Sequence, residues 1–106
     1  MTVTPTELAE RLRSESPPHL LDVREENEHA YCALPGSRLL PLSELAERVE
    51  ELADWRTAEV VVYCHHGVRS AHAIGYLRQL GFQCLLNLSG GIDRWSLEVD
   101  SSVPRY

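Results

Sequence analysis

Residues 59–77 have the sequence EVVVYCHHGVRSAHAIGYL. The β-branched and aromatic residues at its start favour a strand over 59–64, which ends at Cys64. Apolar residues at helical spacing then predict a helix over 69–80, with a buried face formed by Ala73, Ile74, Leu77 and Leu80. The segment therefore predicts a strand that places a cysteine directly before the beginning of a helix.

Strands and helices alternate along the rest of the chain as well. The predicted elements are a helix that begins with Thr4, Pro5 and Glu7 in a capping box, a strand over 19–23, a short helix over 24–31, a brief strand that ends at Pro41, a helix over 44–53 capped by Ser43, a strand over 82–88 and a helix over 92–99. This alternation favours right-handed crossovers and a mostly parallel sheet with helices on both faces. A length of 106 residues suits one domain, so we predict a single α/β domain over residues 1–106.

Composition narrows the class of protein. The chain has 43% hydrophobic and 25% charged residues, as an ordinary globular protein does. Its net charge of −6 argues against nucleic acid as the main partner. No apolar run approaches the roughly 20 residues of a membrane helix, and no signal-peptide pattern is present. We therefore expect a cytoplasmic protein with no membrane partner.

Charge is distributed unevenly along the chain. Residues 1–59 contain thirteen acids and six arginines, whereas residues 60–92 contain no acid and only Arg69 and Arg78 as cations. A locally positive segment in an acidic protein indicates an anionic substrate or a reactive anion. The alternative is that buried strands simply lack charges.

The position of Cys64 predicts a nucleophile. Sites in such sheets form beyond the carboxyl ends of the strands. Loop amides and the N-terminus of the following helix converge there, and both stabilise a thiolate relative to a thiol. Gly67 allows a backbone turn that a Cβ atom would obstruct.

The length of the loop distinguishes two kinds of chemistry. Four residues separate Cys64 from Arg69, whereas protein tyrosine phosphatases have five residues between the cysteine and an arginine that precedes serine or threonine. A shorter loop encloses a smaller cradle, which suits a sulfur atom better than a tetrahedral phosphate. Residues 60–92 also supply no aspartate as a leaving-group acid. A cysteine-loop phosphatase is therefore the less favoured alternative.

Three blocks of sequence resemble the successive signatures of single-domain rhodanese-like sulfurtransferases. They are LLDVREENEHAYCALPGS, VVVYCHHGVRSAHAIGYLRQLGF and LNLSGGIDRW, and they cover nearly the whole chain. The resemblance implies a central parallel sheet of about five strands and an enzyme that transfers sulfur from thiosulfate or a persulfide. It also implies that Cys64 carries the sulfur as a persulfide, so that no cofactor is needed.

The resemblance implies a substrate-binding loop made of His65, His66, Gly67, Val68, Arg69 and Ser70. The final stretch EVDSSVPRY resembles the end of rhodanese domains fused to adenylating enzymes that serve sulfur-carrier proteins. The implied partners are thus a small anionic donor such as thiosulfate and a persulfide-bearing or sulfur-carrier protein. A noncatalytic interaction module with the same fold is the alternative.

The three cysteines do not suggest a disulfide framework, because their number is odd and their spacing shows no pairing pattern. Cys84 alternates within a strand and is expected to pack as a small hydrophobe. In CALPGS, Cys32 and Ala33 stand where the family pattern has glycine and histidine. We interpret Cys32 as a bystander rather than a resolving thiol.

The remaining polar candidates have simpler interpretations. Asp22 and Arg24 end a strand on the same side of the sheet and are expected to be structural, with Arg24 able to pair with Glu28 four residues later. Arg69 is expected to bind an anionic donor, and its alternative role is to pair with an acid at the rim of the sheet. A metal site is not predicted, because adjacent histidines rarely converge on one ion; its ligands would be His65, His66, Cys64 and His72. His72 is expected to be solvated and Trp95 to pack in the core.

Overall fold

The computed structural model describes all of residues 1–106 and contains five strands and five α-helices. The strands are β1 (Thr2–Val3), β2 (His19–Asp22), β3 (Arg38–Leu39), β4 (Glu59–Tyr63) and β5 (Cys84–Leu88). The helices are α1 (Pro5–Leu12), α2 (Glu26–Tyr31), α3 (Leu45–Arg48), α4 (Val68–Gln79) and α5 (Gly91–Glu98), with short 3-10 helices at Leu42–Glu44 and Val49–Trp55. None of these helices has the length and apolarity that crossing a membrane requires.

The five strands form one parallel sheet in the order β1-β5-β4-β2-β3. Strand β4 is central, and its last four residues are buried. Asp22 at the end of β2 lies opposite Tyr63 at the end of β4. Because parallel strands end at the same edge, the segments that follow β2, β4 and β5 meet at one edge of the sheet.

Two hydrophobic clusters cover the two faces of the sheet. Val60 and Val62 of β4 face a cluster that includes residues of α3 and α4, whereas Val61 and Tyr63 face a cluster that includes residues of α1 and α5. Successive strand residues point to opposite faces and both faces are covered, which is why β4 has no charged residue after Glu59. The predicted α/β fold, with a parallel sheet of five strands and helices on both faces, is confirmed.

Two elements differ from the prediction. Strand β1 was not predicted, because it has only two residues and depends on pairing with β5. The predicted helix over 44–53 is divided into α3 and two 3-10 segments, and Ser43 makes no capping hydrogen bond. Its buried residues Leu45, Val49 and Leu52 are four and three residues apart, a spacing that α and 3-10 turns both keep on one face.

Candidate active site in the cysteine loop

Cys64 follows β4 directly and lies in a cradle of hydrogen-bond donors. Its Sγ accepts hydrogen bonds from the Gly67 N–H at 3.1 Å and the Ser70 N–H at 3.4 Å. The Ser70 Oγ also lies 3.4 Å from the sulfur. We call Cys64, Gly67, Ser70 and their support Asn87 the cradle. Only 1% of Cys64 is exposed, so the sulfur is enclosed by these groups.

The cradle favours the thiolate form of Cys64. Burial by itself would raise the pKa of the thiol, because it removes water from the anion. The N–H groups of Ser70, Gly67 and His66, together with the dipole of the Ser70 side chain, act in the other direction and hold the pKa of Cys64 below its ordinary value. The groups that bond to the sulfur are all neutral dipoles.

Asn87 of β5 connects the two ends of the loop. Its Nδ2 donates to the Gly67 carbonyl at 3.1 Å, and its Oδ1 accepts from the Ser70 Oγ at 2.6 Å. Gly67 itself has a φ of +112°, a conformation that favours glycine. The conformation that aims two N–H groups at the sulfur is thus held by a side chain from the neighbouring strand.

The first residues of α5 form hydrogen bonds with the backbone of the cysteine loop. The Ile92 N–H donates to the Cys64 carbonyl at 3.0 Å, and the Asp93 N–H donates to the His65 carbonyl at 3.2 Å. A Cβ atom at Gly91 would overlap both of these carbonyl groups. The sequence indicated only a turn at SGG, since nothing in the local pattern shows which backbone approaches it.

A second group of residues, which we call the rim, consists of Arg24, Glu28, Arg69 and Tyr106. Arg69 donates two hydrogen bonds to the carboxylate of Glu28, at 2.6 and 2.9 Å. These bonds hold the pKa of Glu28 at about 2. Arg69 therefore has the acidic partner that was its alternative interpretation, and its contact with a substrate stays a prediction.

Arg24 does not form the pair with Glu28 that the spacing allowed, and it bonds to Asp22 instead. Arg24 is completely buried, and its Nε and Nη2 donate to Asp22 at 2.9 and 2.7 Å. Its Nη2 also donates to the Cys32 carbonyl at 2.6 Å. The spacing of four residues gave no pair because Arg24 lies before α2 and turns inward, whereas Glu28 on α2 faces α4.

Tyr106 completes the rim and was missed by the sequence analysis. Its ring stacks on His65 with centroids 3.8 Å apart and planes within 6°. Its hydroxyl accepts from Arg24 Nη1 at 2.9 Å and donates to Glu28 Oε2 at 2.7 Å. Burial raises the pKa of Tyr106 to about 12, so the phenol keeps its proton. The tail is irregular as predicted, but no local signal connects it with a loop 41 residues away.

The other loop side chains form the outer part of the site. Burial, followed by the charge of His66, lowers the pKa of His65, and the His65 Nε2 is buried without a hydrogen-bond partner. His66 is exposed and has Asp93 as its nearest carboxylate, at 3.9 Å. Val68 is exposed as well. The six predicted binding residues thus have three kinds of position. Gly67 and Ser70 contact the sulfur, and Arg69 belongs to the rim. The residues at the mouth are His65, His66 and Val68.

None of the three cysteines forms a disulfide bond, and their environments differ. The prediction that Cys84 is packed is wrong, because the residue is exposed at the first position of β5. Cys32 is buried, with its Sγ 3.5 Å from the Pro104 carbonyl. His72 is exposed and Trp95 is buried, and both of these predictions are confirmed.

Comparison with known proteins identifies similar chains. Residues 4–98 match the family described as the rhodanese-like domain. A sulfurtransferase of Allochromatium vinosum is 37% identical over 89 residues, which cover 84% of this chain and 81% of that protein. The crystal structure of a rhodanese-related protein from Thermoplasma volcanium has a TM-score of 0.82 and 34% identity, and the match covers 92% of each chain.

A longer protein is similar over almost the whole chain. The probable adenylyltransferase/sulfurtransferase MoeZ of Mycobacterium tuberculosis is 36% identical over 107 aligned positions, which cover 99% of this chain. The chain spans 27% of the length of MoeZ. The similarity therefore concerns one part of that protein.

Proposed function

The chain belongs to the rhodanese-like domain family, and we propose that it is a sulfurtransferase that carries a sulfane sulfur as a persulfide on Cys64. The observation that carries this proposal is the cradle, in which the N–H groups of Gly67 and Ser70 point at a buried sulfur. A relative of similar length is named a sulfurtransferase, which supports the reaction class. No cofactor is required, because the cysteine itself holds the transferred atom.

In the loading step, the outer sulfur of thiosulfate is transferred to Cys64. The Cys64 thiolate attacks the outer sulfur, a new S–S bond forms, and the S–S bond of thiosulfate breaks with its electron pair leaving on sulfite. The product is a persulfide anion on Cys64, whose negative charge lies near the donors of the cradle. A thiophilic acceptor then bonds to the outer sulfur, and the Cys64 thiolate is released as the leaving group.

The predicted binding residues take different roles in this scheme. Gly67 and Ser70 stabilise the charged sulfur. The Nε2 of His65 has no hydrogen-bond partner in the protein, so it is available to bond to the sulfur-donating substrate. Because Cys64 is 1% exposed, a donor reaches it only when side chains at the mouth move. His66 and Val68 are exposed, so they move without disturbing the core.

The partners are a small sulfur donor and a protein. The tail 98–106 resembles that of rhodanese domains fused to adenylating enzymes, and the similarity to MoeZ extends over this end of the chain. We therefore propose a persulfide-bearing or sulfur-carrier protein as the natural partner, with thiosulfate as a donor of the small anionic class.

Mass spectrometry tests the proposal. Protein treated with excess thiosulfate or a small persulfide, and then freed of it, should gain one sulfur atom that maps to Cys64 and is removed by cyanide. Cys64→Ser should gain none, whereas Cys84→Ser is the matched control and should load normally. Cys32→Ala should load and discharge at the normal rate if Cys32 is a bystander. A sulfur atom on Cys32 or Cys84 would overturn the assignment, and no loading from any donor would favour the noncatalytic module.

A further inference from the structure

We infer that Glu28 determines donor specificity by occupying the guanidinium group of Arg69, so that the site favours an alkyl persulfide over dianionic thiosulfate. This inference rests on the proposed function, because it concerns the donor for the same cysteine. Glu28 does not contact the sulfur. It acts through Arg69, which directly precedes Ser70, the residue whose N–H donates to the Cys64 sulfur.

Glu28 binds the guanidinium group of Arg69 through the same kind of hydrogen bonds that an anionic sulfur donor would form. Arg69 Nη1 and Nη2 each donate to a different oxygen of Glu28, at 2.6 and 2.9 Å. Such paired bonds match the planar geometry of a carboxylate, and they are among the stronger polar contacts in proteins. A sulfonate group of thiosulfate could make the same paired contact with Nη1 and Nη2 only by replacing this carboxylate.

Two further contacts fix the carboxylate in place. The Tyr106 hydroxyl donates to Oε2 at 2.7 Å, and the Glu25 N–H donates to Oε1 at 3.0 Å. Only 15% of the Glu28 side chain is exposed, compared with 34% of Arg69. Each oxygen of Glu28 therefore accepts two hydrogen bonds, and releasing Arg69 would require rearrangement of a held group rather than of a mobile surface chain.

The other arginines near the site do not supply a free cation. Arg24 is paired with Asp22, and Arg105 donates to Asp93 at 2.8 and 3.2 Å. Burial keeps His65 toward its neutral form by lowering its pKa. Arg69, the cation of the acid-free segment 60–92 that lies in the cysteine loop, is therefore compensated in space by Glu28 of α2.

An alkyl persulfide avoids this competition, because it has no sulfonate group that would need Arg69. The Cys64 thiolate attacks the outer sulfur of R–S–SH, a new S–S bond forms, and the bond between the two donor sulfurs breaks. The electron pair leaves on the thiolate RS⁻, and the proton stays on the outer sulfur, which is now bound to Cys64. No oxidant or reductant is needed, and Arg69 need not leave Glu28.

Donor competition in matched variants tests this inference. Sulfur loading of Cys64 is measured with thiosulfate and with 2-hydroxyethyl persulfide, which has no charge apart from its sulfur. Glu28→Gln should raise kcat/KM for thiosulfate at least about tenfold, as expected for freeing one charged contact, and change that for the persulfide less than about twofold. Glu26→Gln is the matched control, since Glu26 is exposed on the same helix, and should change neither. Glu28→Asp keeps the charge and should retain most of the discrimination.

The gain must depend on Arg69. Glu28→Gln combined with Arg69→Ala should lose the increase with thiosulfate. If Glu28→Gln does not fold, Tyr106→Phe removes one bond to the carboxylate and should raise thiosulfate use by about twofold. Equal changes with both donors, or an equal effect of Glu26→Gln, would overturn the inference while leaving the proposed function intact. If neither thiosulfate nor the persulfide loads Cys64 in any of these proteins, the proposed function and the inference both fail.

Discussion

The cradle and the rim lie beside each other at one edge of the sheet, but they handle charge in opposite ways. In the cradle, Cys64 is surrounded by the dipoles of Gly67 and Ser70 and has no formal positive charge bonded to its sulfur. In the rim, Arg69 and Glu28 are fully charged, and each cancels the other.

This difference shows that backbone dipoles and charged side chains are not equally reliable at binding an anion. Backbone N–H groups fixed by a turn cannot be neutralised by another residue, so they remain directed at the sulfur in every state that keeps the turn. A guanidinium attracts any carboxylate that the fold brings within reach, and Arg69 reaches one 41 residues away. In the proposed function, the cradle therefore stabilises charge on sulfur, whereas the rim regulates which charged molecules approach it.

The largest effect should come from breaking the support beneath the cradle. Gly91→Ala places a Cβ atom against the carbonyl groups of Cys64 and His65, at a residue whose φ is +62°. We expect a loss of roughly 2–4 kcal/mol in the free energy of unfolding, from backbone strain plus the overlap. Urea denaturation measures this loss.

Gly75→Ala is the control for this change. Gly75 lies inside α4 at an ordinary φ, and a Cβ atom there meets nothing within 4 Å. Alanine should therefore stabilise the protein by about 0.5–1 kcal/mol. If the two alanine variants were equally stable, the close approach of α5 to the loop would not matter.

The next effect tests the dipoles of the cradle. Ser70→Ala removes a hydroxyl group that lowers the pKa of Cys64. The pKa should rise, so that less thiolate is present at pH 7 and alkylation by iodoacetamide slows by up to about tenfold. The difference should shrink at a pH above both pKa values. Ser43→Ala, at an exposed serine that makes no capping bond, should leave the whole pH profile unchanged.

The pairing in the rim should make the free energy of unfolding depend on pH in the acid range. Because the pKa of Glu28 is about 2 in the folded protein and its reference value is 4.5, its pairing stabilises the fold above pH 4.5. This contribution is lost as the pH falls from there toward 2. The pair is partly open to water, so the loss is on the order of 1 kcal/mol, less than the pKa shift alone would give. Glu28→Gln should flatten this part of the curve of unfolding free energy against pH; an unchanged slope would contradict it.

The smallest effect should come from Tyr106→Phe. The ring can still stack on His65, but Arg24 and Glu28 each lose one hydrogen bond. We expect a loss of about 0.5 kcal/mol in unfolding free energy, since water can replace a partly exposed hydroxyl. The pH profile of Cys64 alkylation should not move. A shift in that profile would show that cradle and rim are electrostatically coupled.

The fold class and the position of Cys64 within it follow from patterns of neighbouring residues. The predicted strand, loop and helix lie within 59–80, and the donors Gly67 and Ser70 are at most six residues from the cysteine. Short-range geometry places such groups, because a strand that ends before a helix leaves the helix amides facing the strand's last residue. Alternating strands and helices likewise limit the topology to a parallel sheet with two covered faces.

The partners of these residues depend on how distant segments pack together. The order of strands in the sheet brings α2, α4 and the tail together, which gives Arg69 to Glu28 and places Tyr106 on His65. It also brings Gly91 against the loop backbone. Charge pairing and close approach depend on distances in space between segments that are far apart in sequence, and a pattern of neighbouring residues contains no information about those distances.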